Sequence, residues 1–242
     1  MKPKLIFFLD YDGTLTPIVD KPSLAVLSKS RRKTLRQLAK TPQVLLAIVS
    51  GRELADVKKL VGIPNLIYAG NHGFEIKGPR INTTLPQAKK TIPVMKKIKK
   101  ALMQELRAIK GVIVEDKTLT LSIHYRLAKE KDEAMIKKIV RQATKSSKKV
   151  KVTFGKKVIE IRPNFKWDKG AAVLWLLKKL GQGRKVVPVY IGDDQTDEDA
   201  FRALKNKGIT VRVGRAEKTL ARHRVKDVNE VYKFIQSMLK LE

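Results

Sequence analysis

The sequence contains no cysteine. That excludes a disulfide framework, a zinc–thiolate site, an iron–sulfur cluster and thiol catalysis. Aromatic residues make up only 6% of the chain. None form a stripe among the basic residues, so a groove built on base stacking has little to stack on. Proline is sparse, 10 of 242 residues, there is no low-complexity tract, and 43% of the residues are hydrophobic. Wholesale disorder is thereby excluded. Long apolar runs are missing as well. Leu5-Ile6-Phe7-Phe8-Leu9 stops at Asp10, too short for a signal core, and no segment approaches the ~20 apolar residues of a membrane span. The expectation is a soluble, cytoplasmic globular protein of one large or two modest domains, with no membrane partner.

Acids are the scarcest charged residues. There are 23 Asp or Glu against 53 Lys or Arg, a formal net charge of +30. Such a charge attracts phosphate polymers without sequence readout. The excess is concentrated in residues 80–166, which hold 24 basic and 7 acidic residues. Runs such as Lys96-Lys97-Ile98-Lys99-Lys100 fall on the polar sides of expected helices, where a solvated face explains them better than a nucleic-acid groove. Five of the 23 acids lie within residues 193–199. Like-charged carboxylates so close repel unless a cation neutralises them. Helix capping and the helix dipole account for Thr196 to Glu198. They do not account for Gly192-Asp193-Asp194 directly after an apolar run.

What is present is an alternation. Apolar runs at 4–10, 43–50, 65–70, 186–192 and 209–214 predict buried strands. Helical spacing predicts helices over 28–39, 53–61, 168–180, 196–206 and 228–240. Strands that are apolar on both faces and alternate with helices point to a parallel sheet covered on both sides. Between them the grammar changes. A helix over 93–110, a strand over 112–126 with one apolar and one polar face, a helix over 130–144 and a hairpin over 150–162 turning at Gly155 predict a small α+β sheet. The expected architecture is an α/β, Rossmann-like core from residues 1–79 and 167–242, interrupted by an inserted α+β domain at 80–166.

Asp10 and Asp12 are two apart at a strand end, and Gly13 lets the chain turn behind them. The carboxyl edge of a parallel sheet is where such folds place ligands. One carboxylate there can attack while the other gives and takes a proton. Ser50, in Ser50-Gly51-Arg52, follows the second strand and suits either a phosphate oxygen or an ordinary helix cap. Lys169 opens a helix, where its charge opposes the dipole, which hints that it serves an anion.

In chain order, Asp10-x-Asp12, Ser50, Lys169 and Gly192-Asp193-Asp194-Gln195-Thr196-Asp197 resemble the four motifs of the haloacid dehalogenase-like (HAD) phosphatase superfamily. The insert sits where that superfamily carries a type-2 (C2B) cap. Further strings are similar to those of its trehalose-phosphatase family: Leu9 to Leu15, Ala69-Gly70-Asn71-His72-Gly73-Phe74-Glu75, Val114-Glu115-Asp116-Lys117, Ser122-Ile123-His124-Tyr125-Arg126, Glu160-Ile161-Arg162-Pro163 and Asp168-Lys169-Gly170. The resemblance implies catalytic roles for Asp10 as nucleophile, Asp12 as acid and base, and Ser50 and Lys169 as holders of the phosphoryl oxygens. It implies Mg2+ held by Asp10, the carbonyl of Asp12 and Asp193, with Asp194 or Asp197 acting directly or through water. It implies Arg52, His72, Glu115, Lys117, Arg126 and Glu160 as substrate contacts. The implied reaction converts trehalose 6-phosphate to trehalose and phosphate. Alternatives are another sugar phosphate such as sucrose phosphate, mannosylglycerate phosphate or a hexose phosphate, phosphoryl transfer to a sugar, and a basic polyanion-binding protein with a vestigial site. A small sugar phosphate is the expected partner, nucleic acid is not, and the sequence does not reveal an oligomeric state.

Overall fold

The computed structural model describes residues 4–181, 186–216 and 218–240. From the N-terminus the chain forms β1 (Lys4–Leu9), α1 (Lys29–Lys40), β2 (Val44–Val49), α2 (Leu54–Val61), β3 (Ile67–Gly70), β4 (Glu75–Gly78) and β5 (Ile81–Thr84). It continues with α3 (Pro86–Lys89), α4 (Ile92–Glu105), β6 (Ile113–Asp116), β7 (Leu121–His124), α5 (Glu133–Lys145), β8 (Val150–Gly155) and β9 (Val158–Pro163). The last elements are α6 (Lys169–Gly181), β10 (Val186–Gly192), α7 (Asp197–Ala203), β11 (Ile209–Val213), β12 (His223–Val225) and α8 (Val228–Lys240).

The chain divides into two compact units, Met1–Thr83 with Trp167–Glu242, and Thr84–Lys166. The sequence reading set the first boundary at 80. The structure sets it at 84, because Pro79-Arg80 is a turn between β4 and β5 and both strands belong to the larger sheet.

That sheet has eight strands in the order β12-β11-β10-β1-β2-β3-β4-β5. The pairs from β12 to β3 are parallel, and β4 turns back antiparallel to β3. Alternate residues of the central strands feed two cores. Phe7, Leu9, Leu46 and Ile48 pack with Leu35, Val57 and Val231 of α1, α2 and α8. Ile6, Phe8, Ala47 and Val49 pack with Val173, Leu176 and Phe201 of α6 and α7. Both faces are covered, which is why these strands read as unbroken apolar runs.

The second unit is a four-stranded antiparallel sheet, β6-β7-β9-β8. One face packs on α4 and α5: Leu121, Ile123, Ile159 and Ile161 meet Met95, Ile98, Leu102, Ile136 and Val140. The single strand expected over 112–126 is two strands. A turn at Lys117–Thr120, with Thr118 at φ 65°, separates them. Helix α4 ends at Glu105 rather than 110, and the β8–β9 turn uses Lys156 and Lys157, just beyond Gly155.

Candidate active site and a polar row on the smaller sheet

Three strand ends build the centre. In the parallel register Leu9 lies beside Ile191 of β10 and Ile48 of β2. The residues just past these strands, Asp10, Ser50 and Asp193, therefore collect at one edge, and Asp10 N–H donates to Ile191 O at 3.0 Å. α6 delivers Lys169 to the same place. Asp168 caps the helix by accepting the Ala171 N–H at 2.8 Å, and Lys169 follows, 3% exposed. Lys169 Nζ donates to Asp10 Oδ1 and to Asp197 Oδ1, both at 2.7 Å. Burial opposes charge on Lys169, but the two carboxylates outweigh it and hold its pKa well above the usual lysine range.

Asp197 is fully buried and multiply held. Its Oδ1 also accepts from Tyr190 OH at 2.7 Å, and its Oδ2 accepts the Asp194 N–H at 2.9 Å. Burial works against its charge, but Lys169, Tyr190 and that N–H keep its pKa below the ordinary value. Asp10 goes the other way. Burial, joined by repulsion from Asp197 and Asp193, raises its carboxyl well above the ordinary range despite Lys169. An ammonium with opposed carboxylates does not by itself make Asp10 an easy anion.

Carboxylate oxygens of Asp10, Asp193 and Asp197, all buried, lie within 4.8 Å of one another. This donor set suits a hard divalent cation such as Mg2+, which takes oxygen ligands and keeps places for water and phosphate. Glycines make the close approach possible. A Cβ on Gly13 (φ +81°) would stand 2.2 Å from Asp193 Oδ2, and one on Gly192 would stand 2.3 Å from the Asp197 carboxyl carbon. The Thr14 hydroxyl is buried beside this turn with no hydrogen-bond partner among the described residues. Asp194 is not among the three gathered acids.

Asp12 is placed differently from Asp10. Its side chain is 40% exposed and forms a two-point ion pair with Arg52, Nε to Oδ2 at 2.7 Å and Nη2 to Oδ1 at 2.8 Å. Arg52, expected at the substrate, is thus engaged with Asp12 and, through Nη1, with Asp56 at 2.7 Å. Ser50 is not the cap of α2, whose N-cap is Glu53. Its Oγ accepts the Arg52 N–H at 3.1 Å instead. His72 is buried at the end of β3, at φ 57° between left-handed Asn71 and Gly73. Its N–H donates to Ser50 O at 2.9 Å.

The expected cap residues form a row on the smaller sheet. The register sets Glu115 opposite Ser122, Ser122 opposite Glu160, and Glu160 opposite Thr153, so their side chains share the face that α4 and α5 do not cover. Lys117 Nζ approaches Glu160 Oε1 at 3.5 Å and Glu115 Oε2 at 3.8 Å. His124 Nε2 lies 2.7 Å from Glu115 Oε2, and Ser122 Oγ donates to Glu160 Oε1 at 3.3 Å. Arg126 stands apart, exposed, donating to Lys156 O at 2.9 Å. Thr120 and Ser122 are fully buried, not solvated as the parity of the sequence suggested.

Sequence reasoning passed over Tyr190, Arg212 and Glu198. Arg212 Nη1 donates to Asp194 O at 2.9 Å and pairs with Glu198 at 3.3 Å. Glu198 also accepts from Thr219 Oγ1 and Leu220 N–H. This buried pair braces the acidic turn. The signal was there: an arginine inside the apolar strand Ile209-Thr210-Val211-Arg212-Val213 needs a buried partner.

The trehalose-phosphatase family profile matches residues 8–231. The chain is 38% identical to the probable trehalose-phosphate phosphatase D of Arabidopsis thaliana, covering 98% of this chain and 68% of that one. It is 40% identical to the probable trehalose-phosphate phosphatase 4 of Oryza sativa subsp. japonica, covering 98% of this chain and 66% of that one. It thus spans about two thirds of each relative. Its fold matches the C-terminal domain of C. albicans trehalose-6-phosphate phosphatase with TM-score 0.85 at 26% identity, over 98% of this chain and 92% of that one.

Proposed function

Because the chain belongs to the trehalose-phosphatase family, we propose that it hydrolyses trehalose 6-phosphate to trehalose and phosphate through an aspartyl-phosphate on Asp10, with Mg2+ as its metal. The observation that carries the chemistry is Asp10 itself, at the carboxyl edge of the sheet, held by Lys169 and gathered with Asp193 and Asp197.

Asp10 attacks phosphorus in line as the bond from phosphorus to the sugar oxygen breaks. Asp12 gives its proton to that oxygen, so trehalose leaves neutral. Asp12 then takes a proton from water, whose oxygen attacks phosphorus and releases Asp10. Lys169 fixes Asp10 and offers its charge to the transferring phosphoryl oxygens, and Ser50 holds another of them. Positioning and charge neutralisation are most of what phosphoryl transfer demands. Asp10, the Asp12 carbonyl and Asp193 would hold Mg2+, with Asp194 or Asp197 contributing directly or through water. When bound, the ion supplies charge neutralisation at the phosphoryl group. Asp197 is already bonded at both oxygens, which favours a bracing role.

The inserted unit reads the sugar in this proposal. Glu115, Lys117 and Glu160 offer fixed acceptors and a cation suited to hydroxyl groups, with His124 and Ser122 orienting them. His72 and Arg126 are further expected contacts, while Arg52, the remaining one, is engaged with Asp12 and Asp56.

The test is phosphate release from trehalose 6-phosphate, sucrose phosphate, mannosylglycerate phosphate and hexose phosphates, with Mg2+ and with chelator. Trehalose 6-phosphate is expected to lead, chelation to stop turnover, and Asp10→Asn to abolish it without unfolding the chain. A clear preference for another sugar phosphate would overturn the substrate assignment. Turnover by Asp10→Asn would overturn the mechanism.

A further inference from the structure

Arg52 is anchored through both its guanidinium and its backbone. It is 6% exposed. Four of its five N–H donors are engaged: two on Asp12, one on Asp56 and one on Pro22 O at 2.8 Å. Its guanidinium lies 5.4 Å from the Tyr11 ring centre. The backbone is fixed as well. Its N–H donates to Ser50 Oγ, and its carbonyl accepts the Asn71 N–H at 2.7 Å. A guanidinium meant to grip a sugar or a phosphate would keep donors open toward it. This one is spent on protein.

The residue it grips most firmly is Asp12. Two parallel hydrogen bonds from one planar fork fix both the place and the plane of a carboxylate. The fork takes one lone pair on each oxygen and leaves the other, on a side chain that is still 40% exposed. Asp12 follows the end of β1 and precedes Gly13 at φ +81°; backbone hydrogen bonds of Gly13, Leu15 and Thr16 hold the main chain of this turn, and the Arg52 fork holds the Asp12 carboxylate. We infer that Arg52 is a positioning residue: it aims the Asp12 carboxyl at the oxygen that leaves phosphorus, and does not itself touch substrate. This rests on the reading of Asp12 as acid and base given above.

The inference has a signature that a structural or substrate-binding arginine lacks. A sugar alkoxide needs a proton to leave; p-nitrophenolate does not. kcat/KM reports steps up to phosphoryl transfer. Arg52→Ala is therefore expected to lose about 10²-fold or more in kcat/KM on a sugar phosphate, the scale of general-acid catalysis, but only a few-fold on p-nitrophenyl phosphate. Arg52→Lys, which cannot fork, should fall between. In an Asp12→Asn background, adding Arg52→Ala should change sugar-phosphate turnover only about two- to three-fold, because the two act as one unit.

Equal losses on both substrates, additive losses in the double variant, or a rise in KM with kcat retained would each overturn the inference. If thermal melting shows that Arg52→Ala does not fold, Arg52→Lys and Asp56→Asn carry the same comparison. Asp56→Asn keeps the fork but loosens its far anchor. The wild-type enzyme separates this inference from the assigned function: the comparison runs on whichever sugar phosphate it turns over. If Asp12→Asn alone loses equally on both substrates, the acid reading of Asp12 fails, whatever Arg52 does.

Discussion

Gly13 has no side chain, and the site depends on that. Its φ of +81° strains any other residue, and the Asp193 carboxylate occupies the space of its missing Cβ. Gly13→Ala must push Asp193 out of the group of three acids or twist the turn that carries Asp12. We expect at least a 10²-fold loss of phosphatase activity and a raised Mg2+ requirement, with a modest fall in melting temperature. Activity titrated against Mg2+ checks this, and an unchanged Mg2+ requirement would count against Asp193 as a ligand. At this scale the sequence was legible wherever a residue's type clashed with its setting. Paired acids at strand ends in an acid-poor chain located Asp10 and Asp193. Lys169 at a helix start did the same. Arg52 carried no such clash. Its partner Asp12 is 40 residues away in sequence, and only folding shows that the residue expected at the substrate grips both oxygens of Asp12.

Elements were legible in proportion to their burial. β1, β2 and β10 announced themselves because helices cover both their faces. β5 and β12 were missed, since they are the end strands of the sheet, short, and carry polar residues such as Asn82, Thr83 and Arg224. The break between β6 and β7 flips the core-facing parity, from Val114 in β6 to Leu121 and Ile123 in β7, and it was hidden because its left-handed residue is Thr118, not glycine. The smaller unit also offers a pH test. Lys137 and Lys157 hold Glu133, at the start of α5, down to about 2, from an ordinary 4.5. A carboxylate with a lowered folded value stabilises above its unfolded pKa, and that contribution fades as pH falls through the folded one. The melting-temperature difference between wild type and Glu133→Gln should be constant from neutrality to about pH 5. It should shrink below about 4.5 and vanish near pH 2. High salt should flatten it, since the three side chains meet water. A difference independent of pH would show that the pairing contributes nothing to stability.

For the whole molecule the dominant quantity is the charge of +30. A sugar phosphate is a small dianion, and a basic surface raises its local concentration and its rate of arrival. kcat/KM should fall several-fold as ionic strength rises from about 0.05 to 0.5 M, because the screening length drops below 10 Å near 0.1 M. kcat should change far less. A flat plot of kcat/KM against ionic strength would mean that the charge takes no part in capture.

The insertion also bears on how the chain is made. β1 is a central strand, flanked by β2 and β10. Its second neighbour begins only at Val186, after the whole smaller unit. On the ribosome, β1 and β2 emerge early, while the Lys4–Leu9 edge that faces β10 stays bare. At ~5–20 residues per second, the roughly 100 residues between β5 and β10 take about 5–20 s to synthesise. A bare, apolar strand edge is a template for pairing with other chains. The nascent chain is therefore most open to aggregation, and to chaperones, while the ribosome is making the smaller unit.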